Sequence, residues 1–367
     1  METLIVLVMT LFLGLITLVV IFNFFAAPVI KETTYQLKRR PLVSVLIPAR
    51  NEESNIKGCL DHALTQSYPN TEILVLDDQS EDRTYAVAEE IKKGRPNLTL
   101  LRGKDLPKGW NGKNWACHQL SRNARGEIIV FLDADCILAP WAIESALAMM
   151  ERYALDLLSS FPTQQLKGMA GWLLVPVMDW LLLSFLPLRM VYLSAHPSLV
   201  AANGQFMAFA RKPYDAIGGH ERVSDQVVED MELARAIKTH GFKMMTALGA
   251  RSISCKMYTS FAEAFKGFSK NFFPGFNTTP FRFSCLMALL AIFFLFPFFL
   301  VFTYTGAVLP LALIYFQRII LAFTDRQNPF LNALLHPFQI ILMLVVGINS
   351  MRGALGKKTV WKGRPLP

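Results

Sequence analysis

The chain has 367 residues, of which 53% are hydrophobic and only 18% charged, and it carries a net charge of +9. That balance excludes an ordinary soluble enzyme and places part of the chain in lipid; with no zinc-finger pattern and no long basic arm, the positive charge suits an anionic membrane and no nucleic-acid partner is expected. The five cysteines, Cys59, Cys117, Cys136, Cys255 and Cys285, have no C-x-x-C spacing, which argues for a reduced, cytoplasmic setting without a disulfide framework or structural zinc.

Residues 1–30 read as a membrane anchor. Leu4 to Phe25 is apolar apart from threonines and one asparagine, and about 20 such residues cross the hydrocarbon core of a bilayer. No Lys or Arg precedes the run, as a cleaved signal peptide would want. Lys31, Lys38, Arg39 and Arg40 follow it and belong on the cytoplasmic side.

From Pro41 the texture becomes globular, and a catalytic domain is expected over residues 41–280. Val43 to Ile47, Ile73 to Leu76, Leu98 to Leu101 and Ile128 to Leu132 are strand-like. Ile56, Leu60, Ala63 and Leu64, and then Thr84, Val87, Ala88 and Ile91, fall at helical spacing between them. Strands alternating with helices predict an α/β fold with a mostly parallel sheet. Ligands of such sheets bind beyond the carboxyl ends of the strands. Three of the runs end in polar clusters: Arg50-Asn51-Glu52-Glu53, Asp77-Asp78-Gln79-Ser80, and Asp133-Ala134-Asp135.

Gly171 to Val191, broken by Pro176, Asp179 and Pro187, reads as an interfacial helix, with a buried core helix as the alternative. A crossing there would put the Asp133 and Asp230 regions on opposite sides of the membrane. Residues 284–350 hold C-terminal transmembrane helices: Ser284 to Tyr304 and Leu334 to Ile348 are spans. Val308 to Phe323, with Pro310, Gln317 and Arg318, reads as re-entrant or interfacial. Residues 351–367 form a basic tail, with Arg352, Lys357, Lys358, Lys362 and Arg364, and the positive-inside rule places it in the cytoplasm. Two crossings after the catalytic region satisfy that charge. The expected location is the cell membrane, multi-pass, with the catalytic domain cytoplasmic.

The motifs exclude several chemistries. No G-x-G-x-x-G follows the first strand, Gly112-Lys113-Asn114 lacks the rest of a P-loop, and the histidines form no H-E-x-x-H. What remains is an acidic pocket with a lysine, suited to a metal-bound diphosphate. Alternate residues of an extended chain face the same way, so Asp133 and Asp135 are expected to converge on one Mg2+ or Mn2+. Lys113 would neutralise a further phosphate charge.

Val-Ser-Val-Leu-Ile-Pro-Ala-Arg-Asn-Glu-Glu (43–53), Val-Leu-Asp-Asp-Gln-Ser-Glu-Asp-Arg-Thr (75–84), Gly-Lys-Asn-Trp-Ala (112–116), Phe-Leu-Asp-Ala-Asp (131–135) and Val-Glu-Asp (228–230) occur in the order seen in glycosyltransferase family 2, which the chain therefore resembles. The resemblance implies a GT-A fold that binds a nucleotide-diphosphate sugar, usually a UDP-sugar, with a divalent cation. Carried onto this sequence, it implies that Pro48, Ala49, Asn51 and Glu52 line the nucleoside pocket and that Asp77 and Asp78 contact base or ribose. On the same resemblance Asp133 and Asp135 would hold nucleotide and metal and Asp230 would be the catalytic base; Glu229, beside it in sequence, is expected to orient it. Gln79 stands where the family usually has glycine.

The arrangement of anchor, catalytic region, apolar C-terminal helices and a Val360–Arg364 tail resembles the membrane glycosyltransferases of bacterial carotenoid and hopanoid pathways. That implies inverting transfer, with glucose as the expected sugar, to a lipid or terpenoid acceptor. A ceramide or polyprenyl-phosphate glycosyltransferase, a polysaccharide synthase and a non-catalytic lipid-binding scaffold are the alternatives. The region Lys266 to Phe273 lacks the Arg-Trp motif of processive synthases.

Overall fold

The computed structural model describes residues 2–165, 168–256, 258, 260–356, 360, 361, 364 and 365. Lys357, Lys358 and Lys362 of the basic tail lie outside the described residues. The chain divides into two compact units, one of residues 1–27, 165–189 and 257–359, the other of residues 28–164, 190–256 and 360–367. The segment 165–189, which by sequence sits inside the catalytic region, thus groups with the apolar helices.

The second unit is an α/β layer structure. Its strands are β1 (Val43–Ala49), β2 (Thr71–Asp77), β3 (Leu98–Arg102), β4 (Ile128–Leu132), β5 (Cys136–Leu138), β6 (Leu157–Phe161), β7 (Thr163–Gln164), β8 (Phe206–Ala210), β9 (Met244–Leu248) and β10 (Ile253–Cys255). Seven of them form one sheet in the order β3-β2-β1-β4-β8-β6-β9, and β5-β10-β7 form a smaller one. The four strands expected from sequence are parallel neighbours; β8 is antiparallel to both β4 and β6, which makes the sheet mixed at that point. Val43, Val45, Leu46 and Ile47 are fully buried, as are Ile129 and Leu132, because helices cover the faces of a parallel sheet.

Register brings the three polar clusters together. Ala49 lies opposite Asp77, Asp77 opposite Arg102, and Leu46 opposite Phe131, so β1, β2 and β4 run out at one edge. The expected helices form at Ile56–Leu64 and Thr84–Lys92.

The opposite edge of the sheet is closed by a polar knot around the buried Ser44 and Glu72. Ser44 Oγ donates to Glu72 Oε1 (2.6 Å) and accepts from Gly126 N (2.7 Å). Arg125 donates its backbone N–H to Glu72 Oε1 (2.7 Å) and its Nε to Glu72 Oε2 (2.9 Å). A Cβ on Gly126 would stand 2.6 Å from Ser44 N, so only glycine lets β4 start this close to β1.

Among the described residues of the other unit, four helices are long and apolar enough to cross a membrane: Glu2–Ala26, Pro280–Leu300, Thr305–Thr324 and His336–Leu355. The Glu2–Ala26 helix buries Met9, Leu13, Ile16 and Val20 and exposes Leu4, Leu7, Leu11, Leu15 and Leu18, the stripe spacing of a helix with one protein-facing side. The span expected from Ser284 starts at Pro280 and breaks at Leu295, next to Pro297. Val308–Thr324, expected to be re-entrant or interfacial, is a continuous helix, so length alone does not set it apart from the other candidates.

Gly171 to Val191 forms no continuous helix. Val175–Phe185 is its longest piece at 11 residues, about 16 Å at 1.5 Å per residue and too short for a bilayer core of about 30 Å. Trp180 on it is 1% exposed and packs edge-on against Phe185 and Phe294. One face of this helix is therefore packed inside the unit, while Met178 and Phe185 stay exposed. Asn23 of the Glu2–Ala26 helix satisfies the backbone where this helix ends, donating to Leu183 O (2.7 Å) and Leu186 O (2.8 Å) and accepting from Leu188 N (2.8 Å).

Candidate active site

The site is built where β1, β2 and β4 stop. Pro48 and Ala49 are the last residues of β1, and Ala49, 2% exposed, accepts Asp78 N at its carbonyl (2.8 Å). Asn51 takes a left-handed φ of 53°; its N–H donates to Ser80 Oγ (3.0 Å) and its Oδ1 accepts from Glu81 N (2.9 Å). Asparagine tolerates that conformation better than most residues. Gln79, in the position expected to be glycine, also has a left-handed φ of 56°. Gln79 thus takes the backbone conformation that glycine favours, and Gln79 Nε2 ties the turn to Asp105 Oδ1 (2.8 Å).

Arg50 fastens the two strand ends to each other. It is 7% exposed and donates from Nη1 to the carbonyls of Asp78 (2.7 Å) and Gln79 (2.8 Å), with Glu81 3.3 Å from Nη2. Glu52 N donates to Thr84 Oγ1 (2.7 Å), and Glu52 Oε2 accepts from Asn55 (2.7 Å). Asp77 and Asp78 are buried. Asp77 Oδ2 accepts only a long bond from Ser80 N (3.3 Å), and its Oδ1 has no hydrogen-bond partner among the described residues. Gly103 fits against them: a Cβ there would lie 3.1 Å from Asp77 O.

Lys113 enters from the first turn of the Gly112–Asn123 helix, which Asn111 caps by accepting Lys113 N (3.1 Å). Its ammonium lies 2.9 Å from Asp133 Oδ1, 3.0 Å from Asp133 Oδ2 and 3.3 Å from Glu229 Oε1. Burial pulls this ammonium down, but Asp133 and Glu229 outweigh it and hold Lys113 well above the ordinary lysine value. Asn114, fully buried, donates to Val223 O (2.6 Å) and Gln226 O (2.9 Å). It thereby fixes the loop that delivers Glu229 and Asp230 to the start of the Glu229–Thr239 helix.

Asp230 is held at both oxygens by backbone N–H groups, Gly204 at 2.9 Å and Met231 at 2.8 Å. Burial, then the charge of Glu229, pushes its carboxyl up to about 7. Gly204 lies at the centre of the cluster. A Cβ on it would come within 3.0 Å of Lys113 Nζ, 3.2 Å of Glu229 Oε1 and 3.7 Å of Asp230 Cβ.

The structure thus brings Asp133, Lys113, Glu229 and Asp230 into one chain of charges. Asp133 and Asp135 sit on the turn between β4 and β5 rather than on extended chain, and their nearest partners differ. Asp133 faces Lys113, whereas Asp135 groups with Cys136 and Cys255. The two carboxylates still act on each other. Burial first, then the charges of Asp133 and Glu52, push Asp135 up to about 7. A partly buried acid crowded by two other carboxylates fits a divalent cation, which would favour its ionised form.

Sequence reasoning gave no role to Arg50, Asn114, Gly204 or Gln205. The signal for Gly204 and Gln205 was the Asn203-Gly204 turn before an apolar run.

Residues 44–218 match the model of the family described as Glycosyl transferase family 2. The 4,4'-diaponeurosporenoate glycosyltransferase of Staphylococcus haemolyticus is 25% identical over 249 residues, which cover 65% of this chain and 62% of that protein. The protein of the same name from Staphylococcus aureus is 26% identical over 279 residues, 71% of this chain and 70% of the other. Among solved structures, a mannosyltransferase of Pyrobaculum calidifontis in complex with GDP-Man and Mn2+ aligns with a TM-score of 0.57 at 20% identity, over 98% of this chain and 100% of that one; this is a likeness of fold. Residues 44–218 of this chain are therefore a glycosyl transferase family 2 domain, built on the GT-A fold.

Proposed function

We propose that this chain is a membrane glycosyltransferase that moves a sugar, expected to be glucose, from a UDP-sugar to a lipid or terpenoid acceptor of carotenoid type. The observation that carries the reading is the Asp133–Lys113–Glu229 chain of charges beside Asp230, at the carboxyl edge of a glycosyl transferase family 2 domain. The names of the staphylococcal relatives support the acceptor class. Four apolar helices support a lipid-soluble one, and Lys31, Lys38, Arg39 and Arg40 support a cytoplasmic catalytic unit.

Transfer is a single displacement. Asp230 accepts the proton of an acceptor hydroxyl, or holds the approach of an acceptor carboxylate, as the acceptor oxygen bonds to the anomeric carbon; the bond from that carbon to the diphosphate breaks on the opposite face, UDP leaves, and the sugar is inverted. A carboxyl near 7 suits a base at neutral pH. Glu229, held by Lys113, keeps negative charge beside it. Pro48, Ala49, Asn51 and Glu52 would border the nucleoside, with Asp77 and Asp78 on base or ribose. Asp133 and Asp135 would hold Mg2+ or Mn2+, which when bound offsets charge on the departing diphosphate. Lys113 would turn from Asp133 to a phosphate.

The test is UDP release by the purified protein from UDP-glucose, with and without Mn2+, together with mass spectrometry of lipids from cells that express it or lack it. Donor-dependent UDP release and a new hexosyl lipid are expected. Absence of both from folded protein sinks the reading.

A further inference from the structure

Two of the cysteines, which sequence spacing left unconnected, meet in space. Cys136 on β5 lies directly across from Cys255 on antiparallel β10. Lys256 N donates to Asp135 O (3.1 Å) and Ala139 N to Ser252 O (2.8 Å). Those two bonds mark Asp135/Lys256 and Ala139/Ser252 as hydrogen-bonded pairs, so Cys136/Cys255 is a non-hydrogen-bonded pair, the kind whose Cα atoms approach to about 4.5 Å and whose side chains are closest. Both side chains are fully buried, and one Asp135 carboxylate oxygen and the two Sγ atoms all lie within 4.8 Å of one another. Two thiolates on one tetrahedral ion, each at about 2.3 Å, stand about 3.8 Å apart, so the cluster needs only a small contraction to close on a metal.

The surroundings favour sulfur as a ligand. Gln205 Nε2 donates to Cys255 Sγ (2.8 Å), the kind of partner that steadies a thiolate. Cys136 Sγ lies 3.8 Å from Asp135 Oδ1 and 3.6 Å from Gln205 O. Gln205 is itself held by Asn203 and Gln164. Asp135 is partly exposed while both cysteines are covered, so an ion would enter past the carboxylate.

We propose that Asp135, Cys136 and Cys255 form a site for a thiophilic divalent cation of the Zn2+ or Cd2+ class. Carboxylate and water suit Mg2+ and Mn2+, whereas thiolates select softer ions; one carboxylate, Asp135, would be shared by both kinds. Binding releases the thiol protons to solvent. Zn2+ or Cd2+ is then expected to displace Mn2+ from Asp135, whatever reaction the pocket performs.

Cd2+ is the probe. Purified full-length protein is titrated with it while the ultraviolet thiolate-to-cadmium absorbance is followed. We expect saturation at one ion per chain with the amplitude of two thiolates. Cys255→Ser and Cys136→Ser each remove about half of that amplitude and weaken binding at least about tenfold. Asp135→Asn weakens binding with both thiolates retained, and Cys59→Ser, Cys117→Ser and Cys285→Ser change nothing. An unchanged band in Cys255→Ser, or one abolished by Cys285→Ser, overturns the proposal. If a cysteine variant fails to fold, Asp135→Asn decides by itself, and an undiminished Cd2+ affinity there rejects the site.

Discussion

The two edges of the main sheet use the same residue types to opposite ends. At the amino edge, Glu72 is one carboxylate among matched donors: Ser44, the Arg125 backbone and the Arg125 guanidinium all point at it. Burial pushes its acid up, but the bonds from Ser44 and Arg125 outweigh that and hold it below the ordinary value. At the carboxyl edge, Asp77, Asp133, Asp135, Glu229 and Asp230 share Lys113 and a few backbone N–H groups, and Asp135 and Asp230 are pushed up to about 7. One edge is electrostatically closed and contributes stability. The other is left short of positive charge, as a site for a cation and a proton acceptor must be.

The sharpest test of this contrast is Asp230→Asn, which is isosteric but cannot accept a proton. Turnover is expected to fall by about 10²–10⁴ while binding of the UDP-sugar, read by calorimetry, stays within a few-fold. Equal loss of both would sink the assignment as base. Glu72→Ala at the closed edge should do the reverse, costing about 1–3 kcal/mol of stability by leaving the buried Ser44 hydroxyl and Arg125 N–H unpaired. Activity per folded molecule should be unchanged. Because the Glu72 acid is lowered on folding, its contribution is present above the ordinary carboxylate value and is lost as pH falls through the folded value. Thermal unfolding of wild type and Glu72→Gln against pH checks that sign, and parallel curves would contradict it.

Gly204→Ala pushes a methyl to 3.0 Å from Lys113 Nζ. The flexible lysine tip can move, so stability should hold while turnover drops about ten- to a hundredfold. A variant as active as wild type shows that Lys113 is not needed where it stands. The pH profile follows from Asp230: a raised acid serves as base only when ionised, so kcat/KM should rise with pH through about 7 and then level. A profile flat across neutrality argues against it. The smallest effect is expected for Gln79→Gly, which relieves a left-handed backbone at about 1 kcal/mol and gives up the bond to Asp105 at about 1 kcal/mol. The melting temperature should barely move.

Local sequence carried the parallel half of the fold well. Runs such as Val43 to Ile47 and Ile128 to Leu132 are β-branched and bounded by turn residues, and their carboxylates fall at the strand ends because that is where buried strands meet solvent. What it did not carry is whatever depends on distant pairing. The antiparallel β8 is set by β4 and β6 on either side rather than by an alternation of its own. Cys136 and Cys255 are apart in sequence and joined only through register. The cover of Trp180 by Phe294, more than a hundred residues on, is likewise beyond the reach of local pattern. Arg50 and Asn114 looked like neighbours of the motif acids; their purpose shows only when the carbonyls they bind are seen to belong to other loops.

Asn23 has a consequence for how the chain is made. Its amide bonds to Leu183 and Leu186, 160 and 163 residues downstream. At synthesis rates of about 5–20 residues per second, those partners appear roughly 8–30 s after the first helix has been built. Over that interval the helix carries a polar side chain whose native partners do not yet exist. The first helix is thus an unfinished part awaiting its complement, and a generic leucine-rich helix exchanged for it would leave the end of the Val175–Phe185 helix without its partner.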